Sequence, residues 1–191
     1  MTQFNNMPCL GAAAVTALLV LALPGIGAAQ TPEGLVERHH RVCVLSAAQP
    51  EVVRSLLADE EEWRPMFAAS ESRDDLVSRV SVTDPMDVIM AQTVNTRGVV
   101  ESICSVQRRG GDFDLLKAEF EASTTLEPVA RYSSRTVAVY IARVIDGHLA
   151  SVEQPDLDRA RRNRSFRIFS LSRMGSDALI VVSAPQGERP R

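Results

Sequence analysis

The sequence predicts an α+β domain: an antiparallel sheet of six to eight strands with two main helices packed on one face. Three observations lead there. Two stretches repeat apolar residues at helical spacing, Val52, Val53, Leu56 and Leu57 in one and Phe113, Leu116 and Phe120 in the other. Several shorter runs are β-branched or alternate, the clearest being Thr136 to Ile145. Turn pairs, Asp146-Gly147 above all, separate these runs at hairpin spacing.

Composition frames this reading. The chain has 191 residues, 45% hydrophobic and 24% charged, with 21 basic against 24 acidic side chains and a net charge of -3. That balance is globular and excludes a disordered tail, a collagen-like repeat or a multi-span membrane protein. A slightly acidic chain without a visible stacking platform gives no reason to bind nucleic acid.

The first 29 residues carry no charged side chain. Ala12 to Leu23 form an apolar run, Pro24-Gly25 break it, and Gly27-Ala28-Ala29 place small residues at a cleavage position. This is the pattern of an export signal cut after Ala29. The segment Met1 to Asn6 lacks the usual Lys or Arg, which leaves an uncleaved membrane anchor as the alternative. Cys9 precedes the apolar run, against a lipid-modified cysteine. Cleavage leaves no transmembrane span and one domain over residues 30–185, with two subdomains dividing near residue 110 as the alternative and a frayed tail over 186–191.

The exported chain keeps two cysteines, Cys43 and Cys104, and these are expected to form one disulfide. Lys117 is the only lysine among the 21 basic residues. Together with the Ala and Val content, this is the composition of a GC-rich bacterial genome, so the expected compartment is the periplasm or outside the cell.

Thr31-Pro32 can cap and open a short helix, and His39 to Leu45 is expected as a strand. Pro50 opens the first main helix, which should fray near the acidic run Asp59 to Glu62, since acids oppose the dipole at a helix C-terminus. Trp63 to Phe67 is a short extended segment, and residues 68–86 are expected as loop with a helical turn around Asp74 to Val80. Asp87 to Val94 and Val99 to Val106 form a hairpin across Asn95 to Gly98. Gly110-Gly111 end it, and Asp112 or Asp114 caps the second main helix, which stops by Thr124-Thr125. Thr136 to Ile145 and His148 to Glu153 make the next hairpin. A polar loop over 154–163 leads to strands at Ser165 to Ser172 and Ala178 to Ser183. The order cysteine, amphipathic helix, proline-ended extended segment occurs twice, from Cys43 to Pro65 and from Cys104 to Pro128. A duplicated strand–helix–strand unit is the corresponding expectation.

No catalytic or cofactor motif stands out. His39 and His40 on a strand would point to opposite faces, and His148 follows a hairpin tip, so no metal and no cofactor are expected. There is no Gly-x-Ser-x-Gly elbow. The most distinctive charge feature is Arg159, Arg161, Arg162, Arg164, Arg167 and Arg173, without an acid among them. Arginine forks suit carboxylates and phosphates, so this stretch is the expected surface for an anionic envelope partner, pairing with the chain's own acids being the alternative. Trp63 reads as a core-edge residue. The function expected is a small exported, non-catalytic binding or interaction module of the cell envelope. Two alternatives are an envelope hydrolase assembled from His148, Asp146 and a distant serine, and a carrier holding a small apolar ligand between sheet and helices.

Overall fold

Alternation and β-branching from Trp63 onward resolve into eight strands: β1 (Trp63–Pro65), β2 (Leu76–Ser81), β3 (Met86–Val94), β4 (Val99–Arg108), β5 (Val137–Ile145), β6 (His148–Ser151), β7 (Phe166–Met174) and β8 (Asp177–Glu188). They form one sheet, antiparallel throughout, in the order β1-β2-β3-β4-β8-β7-β5-β6. The computed structural model describes residues 34–46, 48–59, 61–94, 98–146 and 148–188, so the export signal expected over 1–29 and most of the turn expected over 95–98 lie outside the described residues. Those described fall in one compact unit, Pro32–Arg191. β4 pairs with β3 on one side and β8 on the other, so the sheet continues across residue 110. Among the described residues no helix is long and apolar enough to cross a membrane.

The helical layer covers one face. It consists of α1 (Leu35–His39), which widens into a π-helical turn over His40–Val44, then α2 (Pro50–Leu56) and α3 (Phe113–Thr124). The wider turn is carried by i→i+5 bonds, Leu45 N–H to the His40 carbonyl at 2.9 Å and Ala48 N–H to the Cys43 carbonyl at 3.1 Å. α2 begins with proline in its first turn and ends at Leu56, ahead of the acidic run. Asp112 caps α3 by accepting from the Asp114 and Leu115 amides at 2.7 and 3.0 Å, and Thr125 closes it in the left-handed region. Gly111 admits the chain here: a Cβ on it would sit 2.8 Å from the Ala178 Cβ.

Beneath the helices lie Val77, Met90, Cys104, Val106, Ile180 and Val182 from the centre of the sheet, with Tyr140, Phe169 and Leu171 from its β5–β7 side. The opposite face carries a second apolar cluster at the β5–β7 end, where Ile141, Phe166 and Ile168 pack with Ala160 of the short helix α4 (Leu157–Ala160). Arg38, 5% exposed, ties α1 to the β1 edge through an ion pair with Glu62 at 2.6 Å and stacking over Trp63. One acid of the run Asp59 to Glu62 is therefore a structural partner.

Several expectations are corrected. The stretch expected as a strand over His39 to Leu45 is helical through Val44, because Leu35, Val36, His39, Val42 and Cys43 are all buried and recur on one helical face. With Cys43 on a helix and Cys104 on β4, the two cysteines do not occupy equivalent places, and the strand–helix–strand duplication falls. The expected loop over 68–86 holds β2 and a single turn of tighter helix at Ala68–Ser72. The polar loop over 154–163 contains α4. β8 runs through Glu188, pairing with Val99, which takes the first residues of the expected tail into the sheet.

Cys43 and Cys104 form a disulfide with Cα atoms 5.5 Å apart. It fastens the N-terminal helical segment to the middle of β4, between Met90 and Val182 on the flanking strands. Closing a loop across a sequence separation of 61 stabilises a fold by about 4 kcal/mol on chain-entropy grounds. Cys43→Ala is expected to lose stability of that order in thermal or urea unfolding, and reductant should lower the parent protein toward the variant while leaving the variant unchanged.

Candidate functional site

Helical periodicity places His39 inward and His40 outward on adjacent positions of one segment, and hairpin geometry brings His148 up beside them. The result is a cavity of about 440 Å3 between the α1–π segment, α3 and β6, lined by all three histidines of the chain. Its volume lies in the range of small-molecule sites. Buried Val36, His39, Phe120 and Phe169 make the floor. Exposed Glu37, His40, Glu119, Ser123 and His148 make the rim, with Val44, Thr124 and Leu149 half-buried between.

The floor is a chain of rings. His39 meets Phe169 edge-on at 6.1 Å, Phe169 lies 5.3 Å from Phe120, and Phe120 lies 4.7 Å from Tyr140. Such tilted arrangements set ring edges against ring faces. The Tyr140 hydroxyl donates to Glu121 at 2.9 Å, and Lys117 pairs with the same carboxylate at 3.0 Å, which anchors the far side of α3. Burial, aided by the neighbouring carboxylate, raises the Tyr140 pKa, so this phenol remains a donor. Glu119 reaches the other way, toward the start of α1. A Cβ on Gly34 would sit 2.7 Å from its Oε1, which places this carboxylate against the Gly34 backbone.

His39 is the unusual member. It is 1% exposed and hydrogen-bonds to the backbone of Cys104, beside the disulfide. Its Nε2 has no hydrogen-bond partner among the described residues. Burial first, and the neighbouring His40 second, push its pKa down to about 3. A neutral ring donating through one nitrogen keeps a bare lone pair on the other, so Nε2 is a buried acceptor.

The other sequence-derived candidates are placed as follows. Asp146, in the left-handed region at φ 50°, stands at the β5–β6 turn. Among the described residues no hydrogen bond joins Asp146 to His148. Ser123, the serine nearest in the cavity lining, donates its hydroxyl to the Phe120 carbonyl at 3.0 Å. The nucleophile–base hydrogen bond that marks an activated serine is therefore not formed among these groups. The described residues also hold no set of three His, Cys, Asp or Glu positioned for a metal ion.

The arginine run divides. Arg159 and Arg162 join Arg131 at a surface groove beside Pro155 and Asp156, where Arg131 donates to the Pro155 carbonyl and stacks on Tyr132. Arg161 and Arg164 are exposed nearby. Arg167 is half-buried on β7 and donates to the Arg164 and Phe166 carbonyls at 2.9 Å. Arg173 lies about 20 Å further along that strand at its rise per residue. There it pairs with Asp114 at 3.1 Å and stacks over Phe113. The six arginines thus do not share one surface, and the groove draws in Arg131, which sequence distance had hidden. Glu119, Phe120 and Ser123 were likewise unmarked by sequence, although the helical spacing of Phe120 with Leu116 located the face it lies on.

Comparison with protein-family models, with curated proteins and with solved structures finds no match to the chain.

The depressed His39 pKa makes a pH prediction. In the fold the ring stays neutral down to about 3, whereas in the unfolded chain it takes a proton near 6.5. Between those values the unfolded state binds more protons, so stability rises with pH. The contribution is complete above the unfolded value and is lost as pH falls through the window, at up to about 1.4 kcal/mol per pH unit for one proton. Glu37 and His40 on the same segment, Glu119 on α3 and His148 on β6 surround the cavity and remain in the variant. His39→Phe is therefore expected to flatten the stability curve between about pH 4 and about pH 6.5, as read by urea denaturation across that range.

Proposed function

We propose that the chain is an exported, non-catalytic binding module that holds a small ligand between its helical layer and its sheet. The observation that carries this reading is the cavity itself, with an apolar aromatic floor, a polar rim and a volume of about 440 Å3. Concave sites with apolar walls and a few convergent polar groups are the form that small-molecule binding takes. The lack of a nucleophile–base hydrogen bond at His148 favours binding over hydrolysis. Export is supported by the uncharged, apolar first 29 residues and by a disulfide, which persists in oxidising compartments. In this reading the periplasm or the cell exterior is where the module works.

A second reading keeps the anionic envelope partner and narrows its site. Arg131, Arg159 and Arg162 line one groove, so an anionic surface would engage there and not along the whole arginine run. Arg159→Glu with Arg162→Glu should abolish retention on anionic vesicles or partner co-purification if that groove is the contact, while Arg173→Glu should not.

The cavity reading is tested by native mass spectrometry of freshly purified protein. A co-purifying small molecule is expected, and Leu149→Trp, which fills the mouth from β6, should remove it without altering the fold by circular dichroism. A parent protein that carries nothing and shows no stabilisation by any member of a small-molecule thermal-shift library contradicts the reading.

A further inference from the structure

Resting on the second reading, in which the groove at Arg131, Arg159 and Arg162 takes an anionic group, we propose that its ligand is a single-chain carboxylate. The carboxylate lies among these arginines, and the hydrocarbon chain runs into a neighbouring apolar groove.

Two surface grooves adjoin here. One, of about 870 Å3, holds the three arginines. The other, of about 450 Å3, is lined by Pro128 and Val152 with buried Leu126 and Ile141 beside them. Val129 and Pro155 line both grooves. Their walls are held in place. Val129 donates its N–H to the Val139 carbonyl of β5 at 2.7 Å, and the Leu157 N–H at the start of α4 donates to the Tyr132 hydroxyl at 3.4 Å. Val129 and Val152 are half-buried against the second apolar cluster and keep part of their surface in solvent. A hydrocarbon chain laid along the groove removes that surface from water.

Charge selects the head group. Arg131 stacks over Tyr132 at 4.7 Å and donates to the Pro155 carbonyl, which sets its guanidinium where the grooves meet. A guanidinium carries several N–H donors, and one bond to a carbonyl does not exhaust them. Arg159 and Arg162 are exposed and, at i and i+3 along the α4 turn, face the same side. Asp156 is the acid in this groove. It caps α4 by accepting from the Arg159 N–H at 2.8 Å; that bond first, and the Arg131 and Arg162 charges after it, hold its carboxyl below the usual carboxylate range. One ionised acid among three arginines accommodates a monoanion and opposes the second charge of a phosphate. Glu127 and Glu153 are exposed at the apolar groove and repel an anion there, so the chain and not the head occupies that end.

Isothermal calorimetry with octanoate, acetate and octanol tests the assignment. Octanoate is expected to bind about tenfold tighter than acetate, which lacks the chain, and about tenfold tighter than octanol, which lacks the charge. Arg159→Gln with Arg162→Gln should bring octanoate down to the octanol level. Ser151→Trp, at an exposed position lining the apolar groove, should bring it down to the acetate level. Leu149→Trp, in the other cavity, should leave octanoate unchanged. Octanoate that binds no tighter than acetate or octanol overturns the inference. So does a margin that survives the arginine or Ser151 substitutions, or one that Leu149→Trp removes. Retention on anionic vesicles through Arg159 and Arg162 would leave the second reading standing after such a result. A parent protein that binds neither octanoate nor the vesicles overturns both.

Discussion

The helical segment Leu35–Val44 lies across the middle of the sheet because Cys43 is bonded to Cys104, and Cys104 occupies the centre of β4 between two fully paired neighbours. That bond fixes more than the segment's attachment. It sets which side of the helix faces inward, and so buries Leu35, Val36, His39 and Val42 while turning Glu37 and His40 outward. The ion pair from buried Arg38 to Glu62 and its stacking over Trp63 hold the other side of the same segment. The space between this segment, α3 and β6 is the cavity.

The cavity's chemistry follows from that placement. A histidine one turn before the bonded cysteine is carried into the core, where desolvation keeps it neutral and its hydrogen bond to Cys104 decides which nitrogen is bare. Polar groups that reach the same space from α3 and β6 stay at the mouth, because the floor beneath them is filled by Phe120 and Phe169. Aromatic rings at the floor and polar side chains at the mouth give this cavity the form on which the proposed binding role rests. Among the described residues of this arrangement no hydrogen bond pairs a nucleophile with a base.

The sheet and α3 were legible in sequence because their signals are local. Alternation in Thr136 to Ile145 marks β5, and Asp112 ahead of Phe113, Leu116 and Phe120 marks both the start and the buried face of α3. The disulfide was legible from the cysteine count and the expectation of export. The segment at 35–44 was misread because its buried positions include a histidine and a cysteine; counted as apolar, Leu35, Val36, His39, Val42 and Cys43 give helical spacing where Val42 and Val44 alone give a strand. β2 was missed for a related reason. Arg79 and Ser78 are buried there, Ser78 through a hydroxyl contact with Ser70 at 3.0 Å, so its strand character is carried by polar residues. The site itself joins residues from positions 36 to 169, and no spacing rule links histidines that far apart. The arginine run shows the converse: neighbours in sequence were separated by the length of β7.

His39 sits neutral and buried in the core, held there by the helix that Cys43 fastens, and the rest of the cavity is built around it. Nitrogen-15 NMR of the imidazole rings tests it directly. His39 should keep a single neutral tautomer, with one protonated and one bare nitrogen, from neutral pH down to well below the ordinary histidine midpoint of 6.5. A His39 ring that takes up its proton at that ordinary midpoint, with both nitrogens averaging in exchange with water, would place the segment outside the core and contradict the account.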